Sequence, residues 1–182
     1  MPFLLNFHKN YCLGNSILRK FKDERKIIMT PITIGADAPD FKAKDNKKQD
    51  IKLSDFKGKK VLLSWHPIAW TPVCTDQMRA LETNFEKFQN LNTVPLGFSV
   101  DSQPCKEAWA TVLQIKNVSL PSDFWPHGKI ACDYGIFDET KGISARANII
   151  INEDGKVQWI KVYPSEQLPD INEVLQVLSN NQ

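Results

Sequence analysis

Cys74 sits in the run Trp65-His66-Pro67-Ile68-Ala69-Trp70-Thr71-Pro72-Val73-Cys74-Thr75-Asp76-Gln77, whose residue types and spacing suit a reactive thiol. Thr71 is a good N-cap residue, and Pro72 suits the first helical position, where its missing N–H costs nothing. Met78, Leu81, Phe85 and Phe88 follow at helical spacing and predict one apolar stripe. Cys74 is then expected in the first turn of a helix, among unpaired backbone N–H groups at the positive end of the dipole. Such an environment favours a thiolate near neutral pH. A buried, inert side chain is the commoner fate of a lone cysteine. The Pro-x-x-x-Thr-x-x-Cys spacing tips the choice toward nucleophilic chemistry.

Several elements must position this thiol. Lys60–Trp65 is apolar on both faces, as in a parallel sheet covered on both sides. Before it, Phe41-Lys42-Ala43 reads as a short strand and Asp45-Asn46-Lys47-Lys48 as its turn. After the Cys74 helix, Val94–Val100 predicts a second inner strand. Asp101-Ser102-Gln103-Pro104 then caps a helix running to about Val112. Strand, helix, strand and helix of these lengths imply a right-handed parallel crossover. Leu120–Gly128 is a proline-rich loop, and Lys129–Tyr134 a short helix. Glu153-Asp154-Gly155 turns Arg146–Asn152 back onto Lys156–Tyr163 as a hairpin. Ile171, Val174, Leu175 and Leu178 mark a final amphipathic helix. The expected fold class is α/β, thioredoxin-like, a central mixed sheet with helices on both faces.

The chain has 182 residues, the size of one ordinary domain with a substantial core. Its 23 basic and 21 acidic residues leave it near neutral, with no basic stripe that would suit nucleic acid. No apolar run reaches the ~18–20 residues of a membrane span. Four cysteines at irregular spacing make neither a disulfide framework nor a metal ligand set. Thiol chemistry in a reducing, cytoplasmic compartment is the expectation. Residues 1–28 differ in character from the rest, and Met29-Thr30-Pro31 looks like a natural start. The expected division is a non-native or disordered extension over 1–28 and one domain over 29–182, with an organellar transit peptide as the rival reading of the extension. Cys12, inside it, is expected to have no function.

Pro67, Thr71 and Cys74 resemble the active-site motif of the peroxiredoxins, thiol peroxidases on a thioredoxin-like fold. The resemblance continues through Ser99-Val100-Asp101-Ser102, Ser122-Asp123-Phe124-Trp125-Pro126-His127-Gly128 and Arg146-Ala147-Asn148-Ile149-Ile150-Ile151, over about residues 31–178. The Asp-Phe-Trp-Pro-His-Gly run is most similar to the AhpE-like subgroup. The resemblance implies reduction of hydrogen peroxide and alkyl hydroperoxides through a Cys74 sulfenic acid, with no cofactor and no metal. Cys74 would be the nucleophile, and the backbone N–H groups of Val73 and Cys74 would donate to the peroxide. The Thr71 hydroxyl would orient it, Pro67 would cover the sulfur, and Arg146 would contact both thiolate and peroxide. Gln77 is placed to orient the arginine or else is an exposed helix glutamine. His66 is expected to border the pocket, packing and hydrogen bonding rather than abstracting a proton.

The resemblance also implies that a thioredoxin-like or low-molecular-weight thiol reduces the sulfenate, and that the protein forms a homodimer or higher homo-oligomer. No Val-Cys-Pro motif follows the final helix, and position 79 is Arg, so two familiar places for a resolving cysteine are empty. Cys105 and Cys132 remain as candidate resolvers beside an external thiol. Two rival functions stand against the peroxidase. A thioredoxin-type dithiol reductase needs Cys-x-x-Cys, and the fourth position here is Gln77. A redox sensor or holdase would oxidise stoichiometrically and turn over poorly.

Overall fold

A computed structural model describes residues 29–180 of the chain; the extension expected over 1–28, with Cys12, lies outside them. Its centre is a four-stranded sheet of β3 (Lys60–Trp65), β4 (Thr93–Phe98), β7 (Arg146–Ile151) and β8 (Val157–Tyr163), in the order β4-β3-β7-β8. β3 and β4 pair in parallel, and β7 and β8 run antiparallel as the expected hairpin. A small hairpin of β1 (Lys42–Lys44) and β2 (Asp50–Lys52) precedes the sheet. A second one, β5 (Phe137–Asp138) with β6 (Ile143–Ser144), was not legible in the sequence.

Strand alternation divides the interior in two. Val61, Leu63 and Trp65 of β3 join Phe98, Ala147, Ile149 and Tyr134 on one face. Leu62 and Ile150 point to the other face, with Cys74, Met78, Trp109 and Leu178. The first face is covered by the β1–β2 hairpin and by α4 (Lys129–Asp133). The second is covered by α1 (Pro72–Thr83), α2 (Phe85–Asn90), α3 (Gln103–Leu113) and α5 (Ile171–Ser179). Helices therefore lie on both faces of a mixed sheet, as expected. Each fully buried aliphatic side chain in these layers contributes about 1.5–3 kcal/mol by leaving water.

The helix after Cys74 is broken where one stripe was expected. Asn84 leaves helical geometry at φ −102°, ψ 15°, and its side-chain amide donates back to Ala80 O at 2.9 Å. That bond caps α1, and α2 restarts at Phe85 with Phe88 fully buried. Gly97 lets α1 settle close to β4, because a Cβ there would collide with Met78 Sδ and Leu120. Among the described residues no helix is long and apolar enough to cross a membrane.

Candidate active site

β3 delivers the chain to the site and a clamped loop turns it into α1. His66 N still donates to Phe98 O at 3.0 Å, so the strand geometry persists one residue beyond β3. Two groups from the other side of the crossover then hold the loop. Ala69 N donates to Asp101 Oδ2 at 2.8 Å, and Trp70 Nε1 donates to Cys105 Sγ at 3.3 Å. Asp101 was expected to cap a helix; its carboxylate instead fixes the loop, with Ser99 Oγ donating to the same oxygen at 2.7 Å. Trp70 adopts φ +68°, a left-handed conformation uncommon for a bulky residue, which these anchors hold in place. Thr71 is the N-cap, extended at φ −91°, ψ 152°, and Pro72 follows within the first turn.

Cys74 is buried in that first turn. Thr75 N donates to Thr71 O at 2.9 Å, while the N–H groups at the very start of a helix have no acceptor within it. The Val73 and Cys74 amides occupy those positions. The Thr71 hydroxyl does not cap the helix; it donates to Ile68 O at 3.2 Å, leaving its oxygen to accept or relay. Pro67, half-buried, opens the loop.

Arg146, the first residue of β7, reaches the sulfur. Its Nη2 lies 3.4 Å from Cys74 Sγ, and its Nη1 donates to Gln77 Oε1 at 2.5 Å. Nε and Nη2 also donate to the Ser165 carbonyl at 3.0 and 2.7 Å. Gln77 is buried, and its amide nitrogen donates to Ser64 Oγ at 2.8 Å and Trp65 O at 3.2 Å. Of its two expected roles, the exposed helix glutamine is ruled out. The guanidinium is thus held by two groups, Gln77 Oε1 and the Ser165 carbonyl, and presents one edge to the sulfur, a geometry that a lysine ammonium would not reproduce.

His66 is fully buried, and its ring lies 5.2 Å from that of Trp109. Neither ring nitrogen has a hydrogen-bond partner, so the packing half of its expected role is met and the hydrogen-bonding half is not. Burial first, then the Lys106 and Arg146 cations, holds the imidazole well below the usual histidine range. It is neutral in the folded protein, while an unfolded chain binds a proton below pH ~6.5. Stability supplied by the neutral ring is therefore present above that pH and lost as pH falls. The urea midpoint should drop between pH 6.5 and 5, at about 1.4 kcal/mol per pH unit for one proton. Asp123 works the other way, since burial pushes its carboxyl up to about 6. The comparison with His66→Phe isolates the histidine: the variant should show a shallower loss, and parallel curves would refute the assignment.

The remaining cysteines separate cleanly. Cys105, half-buried in the first turn of α3, packs against the same core as Cys74 and has Asp101 Oδ1 3.9 Å from its sulfur. Cys132 rides on α4, whose Ile130 and Ala131 pack into the opposite core. Free thiols among the described residues are those of Cys74 and Cys105. His127 Nε2 lies 2.7 Å from Gly142 O, and its ring is edge-on to Phe137. Two participants escaped the sequence: the Ser165 carbonyl and the Asp101 clamp. A backbone carbonyl carries no side-chain signal.

Comparison with known proteins places this geometry in context. The AhpC/TSA family model matches residues 34–160. The chain is similar to alkyl hydroperoxide reductase E of Mycobacterium tuberculosis, 32% identical over 140 residues, covering 76% of this chain and 91% of that protein. It is also similar to a peroxiredoxin of Thermoplasma volcanium, 34% identical over 153 residues, covering 81% and 74%. Among solved structures, the reduced 2-Cys peroxiredoxin of Plasmodium vivax superposes with a TM-score of 0.74 at 30% identity, covering 82% of this chain and 81% of that one. AhpC of Mycobacterium tuberculosis, at 19% identity and a TM-score of 0.76, shares the fold.

Proposed function

Since the chain belongs to the AhpC/TSA family and is a thiol-dependent peroxidase, we propose that Cys74 is its peroxidatic cysteine and that Arg146, Thr71, Pro67 and the first-turn amides of α1 form its catalytic surroundings. The contact of Arg146 Nη2 with Cys74 Sγ at 3.4 Å carries this assignment. The Cys74 thiolate attacks the terminal peroxide oxygen, the O–O bond breaks, and sulfur takes up that oxygen as a sulfenic acid. Sulfur is oxidised by two electrons as the peroxide is reduced. The other oxygen leaves as hydroxide or alkoxide and takes a proton from solvent. Negative charge spreads from sulfur along the breaking bond, where the Val73 and Cys74 amides and the Arg146 guanidinium offer fixed donors. Positioning matters more than acidity here, because a thiolate's intrinsic nucleophilicity falls with the pKa of its thiol.

Thr71 relays a hydrogen bond to the peroxide, Pro67 limits access to the sulfur, and Gln77 and Ser165 hold the arginine. An external thiol, low-molecular-weight or thioredoxin-like, condenses with the sulfenic acid to a mixed disulfide and water, and a second thiol then frees Cys74. Cys105, on the same side of the sheet, is the in-chain competitor for that step; α4 keeps Cys132 on the other side. Self-association belongs to the same assignment. Ile68 and Trp70 beside the site, and Phe124 and Trp125 in the proline loop, leave large apolar side chains exposed, Trp125 at 74%.

Reduced protein treated with one equivalent of hydrogen peroxide and dimedone, then digested without reductant, tests the assignment by mass spectrometry. A dimedone adduct on Cys74 is expected. A Cys74–Cys105 disulfide would make the enzyme self-resolving, and oxidation that spares Cys74 would overturn the scheme.

A further inference from the structure

The loop between β3 and α1 leaves the sheet at His66, whose N–H makes its last bond to β4, at Phe98 O. Pro67 has no N–H to give, and the Thr71 hydroxyl closes the loop on Ile68 O. Beyond these bonds the loop leans on the connection between β4 and α3. Asp101 Oδ2 accepts from Ala69 N at 2.8 Å, and Cys105 Sγ accepts from Trp70 Nε1 at 3.3 Å. Two successive loop residues are therefore tied to two residues four apart, one just ahead of α3 and one in its first turn. The anchors also meet each other, with the Cys105 sulfur 3.9 Å from Asp101 Oδ1. Asp101 is fixed in its turn. Ser99 Oγ donates to its Oδ2 at 2.7 Å, and its carbonyl accepts from Ser122 Oγ at 2.6 Å. Trp70 is where such an anchor tells. It is 53% exposed, so burial does not orient the indole, and its φ of +68° is sparsely populated for a residue other than glycine. A relaxed Trp70 would re-aim the residue that follows. That residue is Thr71, the extended N-cap from which α1 starts, and Cys74 lies three residues on.

We propose that Asp101 and Cys105 are positioning residues for the peroxidase step, acting through Ala69 and Trp70 to hold Thr71 and the first-turn amides of α1 in line with the peroxide. This rests on Cys74 being the nucleophile. It gives Cys105 a duty in the first half of the reaction, before any thiol resolves the sulfenic acid. The Cys105 sulfur serves there as a hydrogen-bond acceptor, and no covalent bond to it forms or breaks. Asp101 carries the larger share, because a hydrogen bond to a carboxylate is about twice as strong as one between neutral groups. The Trp70–Cys105 bond carries the smaller share and selects one orientation of a half-exposed ring. The reaction most sensitive to losing these anchors is the one that needs aligned donors. Peroxide attack requires the Thr71 hydroxyl and the Val73 and Cys74 N–H groups at the breaking O–O bond. Alkylation of the same sulfur by a haloacetamide requires a thiolate and access, but no such alignment.

A double-mutant cycle on Trp70→Phe and Cys105→Val tests this, with two rates read on each reduced protein by quenched flow and peptide mass spectrometry. One is single-turnover oxidation of Cys74 by hydrogen peroxide, which does not depend on the resolving thiol. The other is alkylation of Cys74 by iodoacetamide. Phenylalanine keeps an aromatic ring without the N–H, and valine keeps the bulk without the acceptor. Each single variant should lose about tenfold in the peroxide rate constant, and the double variant about the same, because both remove one bond. Alkylation should stay within about threefold of wild type, since aligned donors play no part in it. Cys105→Ser, which restores an acceptor, should recover most of the peroxide rate. Asp101→Ala should cost about 10²-fold and Asp101→Asn less. Multiplicative losses in the double variant, or equal losses in alkylation, would overturn the proposal. So would a lower melting temperature with an unchanged peroxide rate. Trp70 is exposed and Cys105 half-buried, so the cycle stands even if Asp101→Ala fails to fold. Failure of the underlying assignment looks different, because Cys74 of wild type would then take no dimedone.

Discussion

Cys74→Ser is expected to lower peroxide consumption by at least about 10⁴-fold while the protein keeps its fold. Serine differs from cysteine by one atom, so the buried first turn of α1 and the bonds of Arg146 to Gln77 and Ser165 should persist. The chemistry should not persist. A hydroxyl stays protonated where a thiol ionises, and its oxygen is a poor nucleophile toward the peroxide bond. Circular dichroism should overlay with wild type, and stopped-flow peroxide consumption should fall to the rate without enzyme. Residual turnover above about 1% of wild type would assign the reaction to another thiol, with Cys105 the one to remove next.

Arg146→Met should cost about 10²–10³ in the rate constant for peroxide, the usual effect of deleting a fixed donor at developing charge. Its structural share is separable. The deletion strips two acceptors of their partner: the exposed Ser165 carbonyl, which water can take over, and the buried Gln77 Oε1, which left unpaired costs about 1–3 kcal/mol. Arg146→Lys restores charge without the fork, so it should recover some stability and little rate. Stopped-flow oxidation of the reduced protein, followed through tryptophan fluorescence beside thermal melting, distinguishes these terms. A lysine variant as fast as wild type would reduce the arginine to a point charge and refute the role given to its geometry.

Much of the fold was legible because its signals are local. The run Lys60–Trp65, apolar on both faces, the Glu153-Asp154-Gly155 turn and the 171–178 stripe need nothing from the rest of the chain, and each appears where expected. The break at Asn84 was hidden because an apolar stripe continues across it, and only the back-bond to Ala80 reveals the cap. Cys74, Thr71 and Pro67 were readable from one short motif. Arg146 needed the resemblance, since a strand-start arginine is ordinarily solvated. Gln77 was undecided until its amide proved to bridge Ser64, Trp65 and Arg146, a link set by the β3–β7 pairing. Asp101 looked like a cap because its spacing to Gln103-Pro104 is that of a cap; its actual partner, Ala69, lies across a crossover.

The Cys74–Arg146 contact joins residues 72 positions apart, and the carbonyl that steadies the arginine lies a further 19 residues along. During synthesis, Cys74 leaves the ribosome long before its cation exists and well before β8 can pair. The nascent chain therefore exposes an ordinary thiol rather than an activated one. Only when β7 zips onto β3 and β8 onto β7 does the sulfur acquire its reactivity, so the chemistry starts with the completed fold, and return of peroxidase activity marks the final step of refolding.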